Sequence, residues 1–190
     1  MPTKTTAIQY ASPVTLNFTL AGLLGTDSVT GAGRQSDAVD NQTNLYDDIL
    51  IGGKISGSFT TSPSAAVAYP SSGYAVEIWA FGSYDGTTFP AGLGSADANI
   101  TISQSLRFAL MEPLLNIFFD NGTDTDVLVT LPLQYVWGPI SLANIFQGDI
   151  PRMWGLWACY NDSASAPTNN LDPNSAHFET RYTGVKLTST

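Results

Sequence analysis

Period-two alternation dominates this chain. In residues 15–20, Leu16, Phe18 and Leu20 alternate with polar neighbours, and in residues 75–81 Val76, Ile78 and Ala80 oppose Glu77, Trp79 and Phe81. Such alternation lines one face of an extended strand, whereas an amphipathic helix needs apolar residues three and four apart. Further strand runs fall at residues 46–59 (around Ile49, Ile51 and Ile55), 99–103, 106–111, 114–119, 127–135, 153–160 and 178–187. Helical spacing is confined to one expected turn at residues 141–146. Gly52-Gly53 predicts a bulge or bend within its run. Pro113 and Pro132 predict kinks or sheet edges, because proline cannot donate to a ladder. Asp85-Gly86 predicts a tight hairpin, and Asp120-Asn121-Gly122 predicts another that returns residues 114–119 into 127–135. Eight or nine strands at irregular spacing, with no internal repeat, predict an all-β fold. It reads as a single β-sandwich, jelly-roll-like, with long polar loops; an open barrel is the alternative.

The length of 190 residues suits one domain over residues 1–190, with residues 1–13 as an extended N-terminal arm. A chain of this size buries roughly 70 % of its unfolded surface and needs no metal or disulfide to hold a core. Charged residues are 12 % of the chain, about half the usual share of ~25 %. Ser, Thr, Asn, Gln and Gly must therefore supply most of the polar surface. Such a surface loses little charge solvation when another protein covers it, although it also suits a monomer with neutral loops. The net charge is −9, and the seven basic residues (Lys4, Arg34, Lys54, Arg107, Arg152, Arg181 and Lys186) are scattered. Nucleic acid backbones and anionic membranes are recognised by clustered cations, so neither is an expected partner. Residues 1–10 lack the apolar core of a secretory signal. No stretch approaches the ~20 apolar residues that span a bilayer. Cys159, the one cysteine, sits in Leu156-Trp157-Ala158-Cys159-Tyr160 and reads as a buried, inert thiol. The chain reads as made in a cytoplasm and soluble there.

Catalytic patterns are missing from the sequence. His177 is the only histidine and looks like a residue at a strand start. One His and one Cys are too few for most zinc sites and for a Cys–His pair. No G-x-S-x-G elbow, phosphate-binding loop or G-x-G-x-x-G unit occurs. Asp47 and Asp48 are adjacent and point to opposite faces of a strand, so they do not act as a pair. Asp120, Asp124 and Asp126 cluster near a hairpin tip, but their spacing is not that of an EF-hand, and water solvates such tips. No cofactor, no metal and no enzymatic activity are expected. Trp79, Trp137, Trp154 and Trp157 offer a competing function as a sugar-stacking platform, yet their apolar surroundings favour core packing.

Residues 25–44 and 162–175 resist the strand pattern. Both are polar and turn-rich, and unstructured loops beyond ~12–15 residues are uncommon unless they have a role or stay disordered. They are candidate contact segments, an ordinary surface excursion being the alternative. Arg34, Gln35, Asp37, Asp40, Asn41 and Asn44 are the expected protein-interface residues, with Arg34 pairing Asp37, Asp40 or a partner carboxylate.

Four patches carry a family resemblance: GRQSDAVDNQTNLYDDIL at 33–50, YAVEIWAFGSYDGTTF at 74–89, IPRMWGLWACYNDSASA at 150–166, and RYTGVKL at 181–187. They resemble small virion structural proteins of tailed bacteriophages. The resemblance implies a capsid-decorating (cement) protein that binds the major capsid protein on the virion surface, after a stay in the host cytoplasm. It also implies a homotrimer. A tail or baseplate adaptor and a carbohydrate-binding host-recognition module remain open as alternatives.

Overall fold

A computed structural model describes residues 6–23, 25–26, 31–57, 75–118, 133–161 and 175–189. In chain order the strands are β1 (Thr6–Tyr10), β2 (Val14–Thr15), β3 (Gly25–Thr26), β4 (Ala32–Gln35), β5 (Val39–Asp40), β6 (Asp48–Gly57), β7 (Ala75–Ser83), β8 (Ala98–Thr101), β9 (Glu112–Phe118), β10 (Leu133–Ser141), β11 (Met153–Asn161) and β12 (Phe178–Ser189). Two short helices, α1 (Gln104–Leu110) and α2 (Leu142–Ile145), precede β9 and follow β10. The first sheet runs β1-β12-β6-β10, with β2 also on β12. The second runs β8-β4-β11-β7-β9, with β3 and β5 also on β11. The two pack face to face as an all-β sandwich. The strand order does not establish the jelly-roll connections expected from the sequence.

The pleat explains the core. Ile49, Ile51 and Ile55 of β6 meet Val76, Ile78 and Ala80 of β7 and Trp154, Leu156, Ala158 and Tyr160 of β11 between the sheets. Each such large apolar side chain contributes on the order of 2–3 kcal/mol by leaving water. Residues 15–20 keep the expected alternation, with Leu16, Phe18 and Leu20 buried, although only Val14–Thr15 is paired as strand. The other faces of β7 and β11 build a second core. Trp79, Phe81, Trp157 and Cys159 there lie beneath Leu93, Ile102 and Met111, with Phe89, Ala91 and Ile100 packed alongside. The second sheet is thus apolar on both faces.

Several expectations are corrected. Residues 106–111, expected as a strand, lie mostly in α1, because Gln, Leu, Arg, Ala and Leu favour helix as single residues and their alternation only imitates a strand. The Asp85-Gly86 turn exists, and Gly86 takes the positive φ (+80°) such a pair supplies. It joins no hairpin, because β11 and β9 already occupy both edges of β7. Instead the Asp85 carboxylate accepts from the amides of Thr87 and Thr88 at 2.8 and 2.7 Å and turns the chain away from the sheet. Those amides hold the Asp85 carboxyl well below the usual carboxylate range.

The turn at 120–122, Asp124, Asp126, Pro132 and residues 162–174 lie outside the described residues. What is described of the two runs expected to flank the turn at 120–122 sits in different sheets, β9 on β7 and β10 on β6. Gly52-Gly53 leaves the pairing of β6 with β12 unbroken; the irregularity is in β10, between Trp137 and Ile140, opposite Gly52. A Cβ on Gly53 would meet the Trp137 ring at 2.8 Å, so the glycine makes room for the indole. Pro113 does fall on an edge strand, at a register shift. The helical turn expected at 141–146 is present as α2, its amide at Asn144 capped by Ser141 Oγ at 3.1 Å.

Candidate functional site

The residues singled out as an interface are largely occupied inside the molecule. Residues 25–44, read as a loop, supply β3, β4 and β5, all laid on β11. The apolar anchor that the segment lacks is provided by its partner: a Cβ at Gly33 would strike the Trp157 ring and the Ala158 carbonyl. Arg34 pairs with neither Asp37 nor Asp40. Its Nε donates to Asp97 Oδ1 at 2.6 Å and its Nη1 to Asn99 Oδ1 at 3.1 Å. Asp97 is nearly buried, and its other oxygen accepts from Thr19 Oγ1 at 2.6 Å. Asp37 accepts from the Asp97 amide at 2.6 Å and from Asn17 Nδ2 at 2.8 Å. Buried Gln35 accepts from the Gly94 amide at 2.9 Å and donates to the Ala96 carbonyl. Together these bonds clasp residues 94–97 to residues 17–19 and 34–38. Asn41 is buried and closes a turn, accepting from the Tyr46 amide at 3.1 Å. Asp40 and Asn44 are exposed, and beside them Leu45 stands largely exposed at a left-handed φ of +49°.

Helix α1 has an inverted pattern that the sequence did not disclose. Its only buried residue is Arg107, at 1 % exposure, while Leu106, Phe108 and Leu110 face solvent. Successive helical residues are ~100° apart, so Leu106 and Leu110 lie on one flank of Arg107 and Phe108 on the other. Arg107 Nη1 meets Glu77 Oε2 at 2.7 Å and the Cys159 Sγ at 3.0 Å, and its guanidinium lies 5.4 Å from the Trp157 ring centre. Trp79 Nε1 donates to the same Glu77 oxygen at 3.3 Å, and Phe108 packs edge-on against the Trp79 ring at 5.1 Å. A buried charge must be paired to be tolerated, and Glu77 answers that need. Cys159 therefore has charged neighbours beneath its apolar sequence. Burial, reinforced by Glu77 and opposed by Arg107, pushes its thiol pKa well up, so the group stays neutral and shielded.

The outer face of the first sheet carries exposed apolar side chains. Ile8, Tyr10, Leu187 and Val136 are exposed there, the last at 69 %. A shallow groove of about 610 Å³ crosses the sheet over Gly52 and Thr183, walled by Tyr10 and Pro13 on one side and Val136 and Pro139 on the other. Arg181 lines it, and Arg181 and Lys54 both pair with Glu179 beside it.

All four tryptophans are core residues. Asp47 and Asp48 serve separately, Asp47 accepting from the Leu187 amide at 2.6 Å and Asp48 from the Ala143 amide at 2.9 Å. His177 immediately precedes β12. Among the described residues, no three His, Cys, Asp or Glu side chains gather as a metal ion would need, and no helix is long and apolar enough to cross a membrane. No family model, curated protein or solved structure matches the chain.

Proposed function

We propose that this protein is a non-enzymatic structural subunit of a tailed-phage virion, a decoration (cement) protein that binds the major capsid protein and stabilises the shell. In this reading it is a homotrimer that gathers on the capsid surface after synthesis in the host cytoplasm. The observation that carries the reading is the inverted helix α1, which buries its arginine and turns Leu106, Phe108 and Leu110 outward. Large apolar side chains presented by a well-anchored scaffold suit protein contact, since covering them releases water at little cost in charge solvation. A surface poor in charge favours the same use, and many equivalent shell sites would multiply a modest contact into stable occupancy. The alternative of a sugar-stacking module loses support because the tryptophans are buried.

The test is binding to purified empty shells, followed by imaging of decorated particles. Many copies on the shell, lost in Phe108→Asp with the fold intact, is the expected result. A few copies at the tail would favour an adaptor role, and no binding to either would overturn the proposal.

A further inference from the structure

We infer that two copies of this chain pair edge to edge through β1, antiparallel about a twofold axis at Ile8, so that the first sheet continues from one copy into the other. β1 is the outer strand of that sheet, and among the described residues no strand pairs with its far side. Backbone groups along a strand point alternately to its two sides. The Ala11 amide donates to the Gly184 carbonyl of β12 at 2.9 Å, and the Leu187 amide turns away from β1, to Asp47 at 2.6 Å. With Ile8 opposite Leu187, this phase directs the amides and carbonyls of Ala7 and Gln9 toward β12 and those of Thr6, Ile8 and Tyr10 outward. Three outward residues spaced evenly about Ile8 make a self-complementary edge. Laid antiparallel on a second copy, Ile8 falls opposite Ile8 and Thr6 opposite Tyr10, and each outward amide meets a carbonyl.

The rest of the fold singles out this edge. β12 pairs with β6 only as far as Val185, so residues 186–189 are in register with β1 alone. Neither core contains a residue of β1. A two-stranded ribbon is marginal in water, and a second copy makes this one four-stranded. The other three edges carry features that discourage pairing. β9 begins with Glu112 and Pro113, β10 has Pro139 at a register shift, and β8 is four residues long. β1 has no proline, no charge and no bulge over Thr6–Tyr10. Charge then favours a second copy as the occupant. At net −9, two copies repel wherever acids meet, but residues 1–26 contain no acid and one base, Lys4. This edge is therefore a place where an acidic chain can approach itself closely, and one twofold contact satisfies both edges at once. The contact needs only the chain itself and stands apart from the threefold association proposed above.

The experiment compares the full chain with four single variants, by native mass spectrometry and, after mild oxidation, by gels run without reductant. The wild type is expected to pass from 20.2 kDa to twice that mass as its concentration rises. Ile8→Cys should oxidise to a covalent dimer, because the two copies meet at that residue. Gln9→Cys is also at an exposed position but should not, since Ala7 lies opposite it and the matching residue is beyond the ~7 Å a disulfide spans. Cys159 is buried and stays out of both reactions. Ile8→Pro removes an outward amide and no bond to β12, so it should stay monomeric with an unchanged circular dichroism spectrum. Ile8→Thr keeps that amide and should still dimerise. Cross-linking of Ile8→Cys no stronger than that of Gln9→Cys would overturn the inference, whether or not Ile8→Pro folds. So would a wild type that stays monomeric up to its solubility limit, or a dimer that Ile8→Pro leaves undiminished. A threefold mass in both the wild type and Ile8→Pro would speak for the association proposed above and against this one.

Discussion

The two sheets of this sandwich are built from similar alternating strands and differ in what covers them. The second sheet is apolar on both faces and covered on both, by the first sheet on one side and by α1 with the chain around Leu93 and Ile102 on the other. The first sheet packs on the second through one face, and its other face leaves Ile8, Tyr10, Val136 and Leu187 in water. A sheet buried on both sides has no surface to offer and serves as the rigid frame. The sheet with an exposed apolar face has its stability supplied by the inner core, so its outer residues are free to serve recognition. The charges divide in the same way. Arg107 is locked beneath α1, whereas Arg181 and Lys54 stand beside an open groove.

The strongest way to break this contrast is to strike the covered side. Arg107→Met leaves the largely enclosed Glu77 without its cation, and about 3–5 kcal/mol of unfolding free energy should be lost in urea titration. The double change Arg107→Met with Glu77→Gln should recover much of that loss, because the cost lies in the orphaned charge. If the single variant melts like the wild type, α1 is not fastened by its arginine. A middle effect is expected at the clasp. Arg34→Ala removes two bonds from a half-buried guanidinium, one of them to the nearly buried Asp97, and should cost about 1–2 kcal/mol in the same titration. A neutral result would return Arg34 to the role of a free surface residue. The smallest effect belongs to the open sheet. Ile8→Thr should change thermal stability by no more than about 0.5 kcal/mol, since its side chain is already mostly in water. A large loss would mean that this face is covered within the molecule and would remove the contrast between the sheets.

Much of the frame was legible in the residues alone. Alternation placed Leu16, Phe18 and Ile78 in the core, because a strand's pleat forces period two and burial rewards it locally, and apolar surroundings placed the tryptophans there. Turn chemistry was legible at Asp85-Gly86 and at Ser141, where a side chain satisfies amides a few residues away. What those turns connect was not, since the identity of neighbouring strands depends on which edges are already filled. The candidate site was legible only in part. Arg34 was recognised as a residue with a task, but its partner lies 63 positions away at Asp97, and nothing near it in the chain announces that.

By itself, then, the sequence determined the strand content, the sandwich class and the low charge of the surface, all of which follow from local geometry and composition. The tertiary structure alone decided that a glycine-rich stretch would become β4 by lying against Trp157, and that the arginine of an apolar run would turn inward to Glu77 while its leucines and phenylalanine turned out. The reason is the same in both cases. A side chain's fate is set by the free energy of the surface it meets, and that surface is assembled from residues far away in the chain.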